Sequence, residues 1–350
     1  MRNAVFTLCL VVAAAGFTRA AEPPAVDPAL DKSVDRALAF LQSTQLSDGG
    51  WTTQGGGANP AATSLSVMAF LSAGHVPGEG RYGETVEKGI HAVLKAQHEN
   101  GLIASDGGQE MYHHGISTLM LAEAAGMTDA KLGDEIRKKL VKAVAIILKA
   151  QRTGAGPERG GWRYHVAPGD GADISVTGWQ IMALRAAKNV GCDVPADNID
   201  RAVDFIKRCQ DQRSGGFDYQ PNSNVTVPCT GTSILALEIC GKDLHHGPEV
   251  LKAGAYLLKH PPKWGMAFGF YGLYYCSQAT FQLGDNYWAF FRPLLHDMLF
   301  KNQKDNGSWA SGGDGSFGPN YSTAMCVLAL TVEYRYLPIY QRDEGTTDKK

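Results

Sequence analysis

The sequence predicts an all-α protein, an (α/α)6 toroid in which six helical hairpins form two concentric rings of helices. Three observations carry this. A unit of about 52 residues recurs along the chain. Each unit pairs an amphipathic helix with one that is apolar nearly all round. A glycine-rich turn carrying an aromatic residue joins the two. An amphipathic helix faces water on one side, whereas an all-apolar helix must be enclosed, so six of the second kind belong inside six of the first. An open solenoid of hairpins would expose one face of the second helices.

The elements follow in order. Arg2, an apolar run from Ala4 to Phe17 and the small residues around Ala20 have the layout of a secretory signal. Residues 1–20 are therefore read as a signal peptide, 21–29 as a linker, 30–337 as the toroid and 338–350 as a polar tail. Export to the periplasm or the cell exterior is expected, with no transmembrane helix left after cleavage. The first unit runs from Leu38 through Gln45, Gly49 and Trp51 to the apolar helix that opens at Thr63. Looser copies start at Gln97, Gln151 and Gln210, and the fifth, around Tyr256–Trp264, lacks the glutamine. The sixth runs through Gln303, Gly307 and Trp309 to Tyr321-Ser322-Thr323. In the fourth unit Ile199, Val203 and Ile206 make the apolar stripe, while Asp200, Arg201, Asp204 and Lys207 fill the other face.

Composition narrows the function classes. Charged residues are 19% and mean hydropathy is −0.18, the values of an ordinary globular chain. Net charge is −2 with no basic block, which leaves nucleic-acid binding without an electrostatic footprint. No cofactor motif or metal-ligand spacing stands out, and no C-x-x-C occurs. Six cysteines follow the signal segment, and Cys192 and Cys240, which end equivalent helices in adjacent units, are the one disulfide candidate. No protein partner can be named from the sequence.

Gln-x-x-x-Gly-x-Trp, complete at Gln45/Gly49/Trp51 and at Gln303/Gly307/Trp309, resembles the repeat of squalene cyclases. The chain is similar to the terpenoid cyclase/protein prenyltransferase α/α-toroid superfamily over residues 30–337. The resemblance implies that these six residues are structural, tying adjacent hairpins together at the outer-ring turns. It also implies two chemistries. Class II cyclases protonate substrate with the middle Asp of Asp-x-Asp-Asp-Thr; here Gly171-Ala172-Asp173-Ile174-Ser175 retains Asp173 alone, with Asp170 nearby. An Asp there is also a good N-cap. The zinc site of the prenyltransferases lacks its His, which is Gly318 here, and no Asp-x-Cys is present.

In such a ring the loops before the inner helices converge on one mouth. The catalytic candidates there are Asp173, Asp170 and His113. Tyr112, Trp162, Tyr164, Trp179, Tyr219, Phe270, Tyr274 and Tyr321 are the ligand-lining candidates. Aromatic walls suit a small hydrophobic, terpenoid-like ligand, a carbocation or a stacked sugar. Three readings stay open at this point: binding or transformation of such a ligand, a non-catalytic interaction module, and a carbohydrate-active lyase or hydrolase using Asp173, Asp218 and Asp314 with Arg163.

Overall fold

The computed structural model describes residues 27–54, 56–105, 109–167, 171–240, 246–310 and 313–341. The expected signal peptide lies outside the described residues. Among these there are twelve α-helices and no strand, only three isolated bridges in the hairpin turns. The outer helices are α1 (Pro28–Ser43), α3 (Gly83–Lys95), α5 (Ala130–Ala150), α7 (Ala196–Arg208), α9 (Pro248–Lys259) and α11 (Asp285–Asn302). The inner helices are α2 (Pro60–Ser72), α4 (Glu110–Ala125), α6 (Ile174–Asn189), α8 (Val227–Cys240), α10 (Gly269–Leu283) and α12 (Pro319–Leu330). Each inner helix packs on the next, and α12 packs back on α2, so the ring is closed. Enclosure explains the composition of these helices: every residue of α10 is buried, and in α7 only the Ile199/Ala202/Val203/Phe205/Ile206 stripe is.

The repeat motif is the lock of the outer ring. The side-chain amide of Gln45 donates to Gly49 O in its own turn and to Thr85 O at the start of α3, both at 2.9 Å. Gln97 does the same to Gly101 O and Lys139 O, Gln151 to Gly160 O and Asn198 O, and Gln210 to Gly215 O and Glu249 O. Gln303 closes the circle, reaching Gly307 O at 2.9 Å and Ser33 O of α1 at 2.8 Å. Among the described residues the fifth unit, with His260-Pro261 after α9, makes no such bond to α11. The turn glycine lies two residues before a fully buried side chain in each locked unit, an aromatic in four of them and Ile103 in the second. A Cβ on Gly160, whose φ is +94°, would stand 1.9 Å from Arg201 O, so the next outer helix leaves no room for another residue.

The tryptophans complete the turn. The indole N–H groups of Trp51, Trp162 and Trp309 donate to Leu41 O, Ile147 O and Leu299 O, carbonyls in the last turns of α1, α5 and α11. Their backbone N–H groups are taken by Thr63, Thr177 and Thr323 of the inner helices. The ligand-lining expectation for Trp162 is therefore corrected: it is fully buried in the structural turn, the counterpart of Trp51 and Trp309.

Three further expectations change. Cys192 and Cys240 are both free thiols, so the proposed disulfide is absent. α1 begins at Pro28, inside the expected linker, with Asp27 capping the Ala29 N–H. Residues 338–340 are part of the packed ring rather than a tail. After α12 the chain turns across the end of the ring opposite the hairpin turns, and Leu337, Ile339 and Tyr340 are buried there. Glu123 accepts the Ile339 N–H at 3.1 Å, Gln282 donates to Tyr340 O, and the hydroxyls of Tyr340 and Tyr274 bond to each other. Among the described residues no helix is long and apolar enough to cross a membrane.

Candidate functional site at the mouth of the ring

The site is built on the start of α6. Asp173 is its N-cap: Oδ1 accepts the Val176 N–H at 3.0 Å and the Ser175 hydroxyl at 2.5 Å. Oδ2 accepts Arg163 Nη1 at 2.8 Å. The same Nη1 donates to the Tyr219 hydroxyl at 3.0 Å, and the Tyr164 and Tyr219 hydroxyls are 2.5 Å apart. The Arg163 guanidinium lies over the rings of both tyrosines, 4.3 Å from the centroid of Tyr164 and 5.4 Å from that of Tyr219. Tyr112 of α4 completes the cluster. Because the Ser175 proton goes to Asp173, the Tyr112 hydroxyl is the donor in its 2.5 Å bond to Ser175 Oγ. Its ring stacks on Tyr164, 5.9 Å between centroids.

The fold supplies each of these groups for a local reason. Trp162 is fixed by the turn, so the next two residues, Arg163 and Tyr164, leave the turn towards the ring axis. The Ile174 N–H bonds to Tyr219 O, which brings the turn of the fourth unit against the start of α6. Burial holds the Asp173 carboxyl above its ordinary range, and the bonds from Ser175, Val176 and Arg163 offset only part of that rise. Three donors, one of them a guanidinium, converge on its two oxygens. Burial also raises the Tyr112 hydroxyl well above its ordinary range and raises Tyr219, so both remain neutral donors.

The structure brings together Asp173, Tyr112, Tyr164 and Tyr219 from the sequence candidates and separates the others. Asp170 lies outside the described residues. His113, one residue from Tyr112 and thus on another face of α4, looks towards α2. Its Nε2 is 3.3 Å from the Asn59 amide nitrogen and its Nδ1 is 3.3 Å from the Ser105 N–H. Burial lowers its pKa and favours the neutral ring. His114 is structural: it accepts the Ile103 N–H and bonds Ala143 O, standing where other units have threonine.

Trp179, Phe270 and Tyr274 were expected to line a cavity, yet each is at most 2% exposed. Trp179 stacks on Tyr274 at 5.6 Å and meets Tyr275 edge-on, while Phe270 packs against Trp264. Tyr340 is buried as well and bonds the Tyr274 hydroxyl. Tyr321 stays partly open at the mouth, edge-on to Phe317 and donating to Asp314 Oδ2 at 3.2 Å. Asp314 also accepts the Phe270 and Tyr271 N–H groups and so caps α10. Ser175 and Tyr340 were missed from sequence. Ser175 carries a legible signal, a hydroxyl two residues after an N-cap Asp; Tyr340 carries none.

No metal-binding group of three or more His, Cys, Asp or Glu residues occurs among the described residues. No protein-family model matches the chain, and neither does any curated protein sequence. Solved structures do. The type II terpene cyclase MstE from Scytonema, in complex with geranylgeranyl dihydroxybenzoate, is 17% identical with a TM-score of 0.61, over 88% of this chain and 98% of that one. An inactive variant of an α-1,6-mannanase of Salegentibacter sp. is 11% identical with a TM-score of 0.67, over 88% of this chain and 100% of that one. Cellobiose 2-epimerase from Bacillus thermoamylovorans is 11% identical with a TM-score of 0.64, over 86% of this chain and 98% of that one. Identities this low speak for the fold alone. The chain is an α/α toroid, as the repeat motif implied.

Proposed function

We propose that the chain is an exported binding toroid that holds a small, largely apolar ligand in the aromatic mouth of its ring. The observation that carries this is the convergence of Tyr112, Tyr164, Tyr219 and Arg163, all partly exposed, on the buried Asp173–Ser175 cap. Aromatic walls around a few fixed polar groups are the usual make-up of a small-molecule site. The deep centre does not serve, since Trp179, Tyr274 and Tyr340 pack it. Export rests on the charge and apolar pattern of residues 1–20.

The proton-donor reading of Asp173 is the weaker one. A general acid must carry a proton and aim it at substrate. The Asp173 carboxylate instead accepts from three protein donors and pairs with Arg163. The two-acid carbohydrate reading loses Asp314, whose oxygens cap α10. Native mass spectrometry of the protein purified from its export compartment tests the proposal. A bound mass that disappears in Tyr164→Ala and Tyr219→Ala variants is expected; a bound mass indifferent to both variants, or ligand-dependent turnover abolished by Asp173→Asn with folding unchanged, would sink it.

A further inference from the structure

We infer that the mouth selects a ligand bearing a single carboxylate on a flat apolar body, and that Arg163 receives the carboxylate. This rests on the proposal that the mouth is the binding site. A guanidinium has five N–H donors. Nη1 serves Asp173 Oδ2 and the Tyr219 hydroxyl, whereas Nε and Nη2 meet no acceptor among the described residues. The side chain is 22% exposed, so these donors face the opening.

The acceptors around it are taken. Asp173 serves Val176, Ser175 and Arg163, and Ser175 Oγ serves Tyr112. The site therefore offers the unused donors of Arg163 and has its acceptors engaged. What fits is a molecule that brings acceptor oxygens.

Charge and shape narrow the class. Asp173 beside Arg163, Glu110 3.9 Å from His165 and Asp314 beside Tyr321 already place carboxylates around the opening, so it favours one negative charge over several. All six inner helices point their N-termini to this end, which adds positive partial charge. The stacked Tyr112–Tyr164 pair, Tyr321 and the exposed Phe317 ring supply flat apolar walls.

Titration calorimetry of the full chain with 2-naphthoate, 2-naphthamide and 2-naphthyl phosphate tests this. The acid is expected to bind about tenfold or more tightly than the amide, the value of one charge-assisted pair, and more tightly than the phosphate. Arg163→Met should bring the acid down to the affinity of the amide, and Arg163→Lys, which keeps the charge and loses the fork, should lie between. Asp173→Asn, which removes the competing charge, should tighten the acid. Equal binding of acid and amide, or an acid indifferent to both Arg163 variants, overturns the carboxylate inference while leaving the mouth as a binding site. Tighter binding of the phosphate overturns the single-charge argument. Failure of all three probes to bind overturns the inference and the proposal together.

Discussion

Gln303 is the residue whose loss most directly tests how the ring is closed. It joins the last unit to the first through a bond donated to Ser33 O and one accepted from the Ser33 hydroxyl at 3.0 Å, and it donates a third to Gly307 O in its own turn. Gln303→Leu removes all three. At about 1 kcal/mol net per bond, the expected loss is about 3 kcal/mol. His260→Leu is the internal control. His260 occupies the corresponding place in the fifth unit, is exposed, and only stacks on Tyr256 and bonds its carbonyl one turn back. That substitution should cost no more than about 0.5 kcal/mol. Urea unfolding followed by far-ultraviolet circular dichroism reads both. A Gln303→Leu cost below about 1 kcal/mol, equivalent to a single bond, would refute the lock as the element that closes the ring.

Other outcomes follow from single residues. Trp162→Phe should cost about 1–3 kcal/mol by leaving Ile147 O without its partner, yet leave naphthoate affinity unchanged; altered affinity would return Trp162 to the binding site. Burial raises Glu123 to about 8, so it is protonated in the fold and ionised when unfolded above its ordinary pKa. Stability from this group is fully present below pH about 4.5 and is lost as pH rises through about 8. Melting temperature should therefore fall over that window, and Glu123→Gln should flatten the fall; an unchanged slope in the variant would refute the assignment. Thiol labelling in denaturant without reductant should modify all six of the cysteines from Cys192 to Cys326, and protection of Cys192 and Cys240 would restore the disulfide.

The fold was largely legible because its physics is local and repeated. Gln45, Gly49 and Trp51 can be read from sequence since each contributes to one turn, and the repeat makes the turn visible more than once. The site was legible only in part, for geometric reasons. Asp173 and Tyr219 stand where an inner-helix start and a neighbouring turn meet, and the repeat predicts that meeting. Trp162 was assigned to the wrong set because the fold buries an aromatic at the turn and exposes the two residues after it, a distinction of direction that composition does not carry. Trp179 and Tyr274 were read as lining because nothing in the repeat announces Tyr340. The segment that fills the far end lies outside the periodic pattern, and its contacts with Glu123 and Gln282 join residues 216 and 58 positions apart.

The central claim is that the mouth, and not the deep centre, is where a ligand sits, held beside Arg163. The most direct measurement is a crystal structure of the protein soaked with 2-naphthoate. The carboxylate is expected on Nε and Nη2 of Arg163, the ring between Tyr112 and Tyr321, and Tyr340 still bonded to Tyr274. A ligand found among Trp179, Tyr274 and Tyr275, with the 331–340 segment displaced, would contradict that claim.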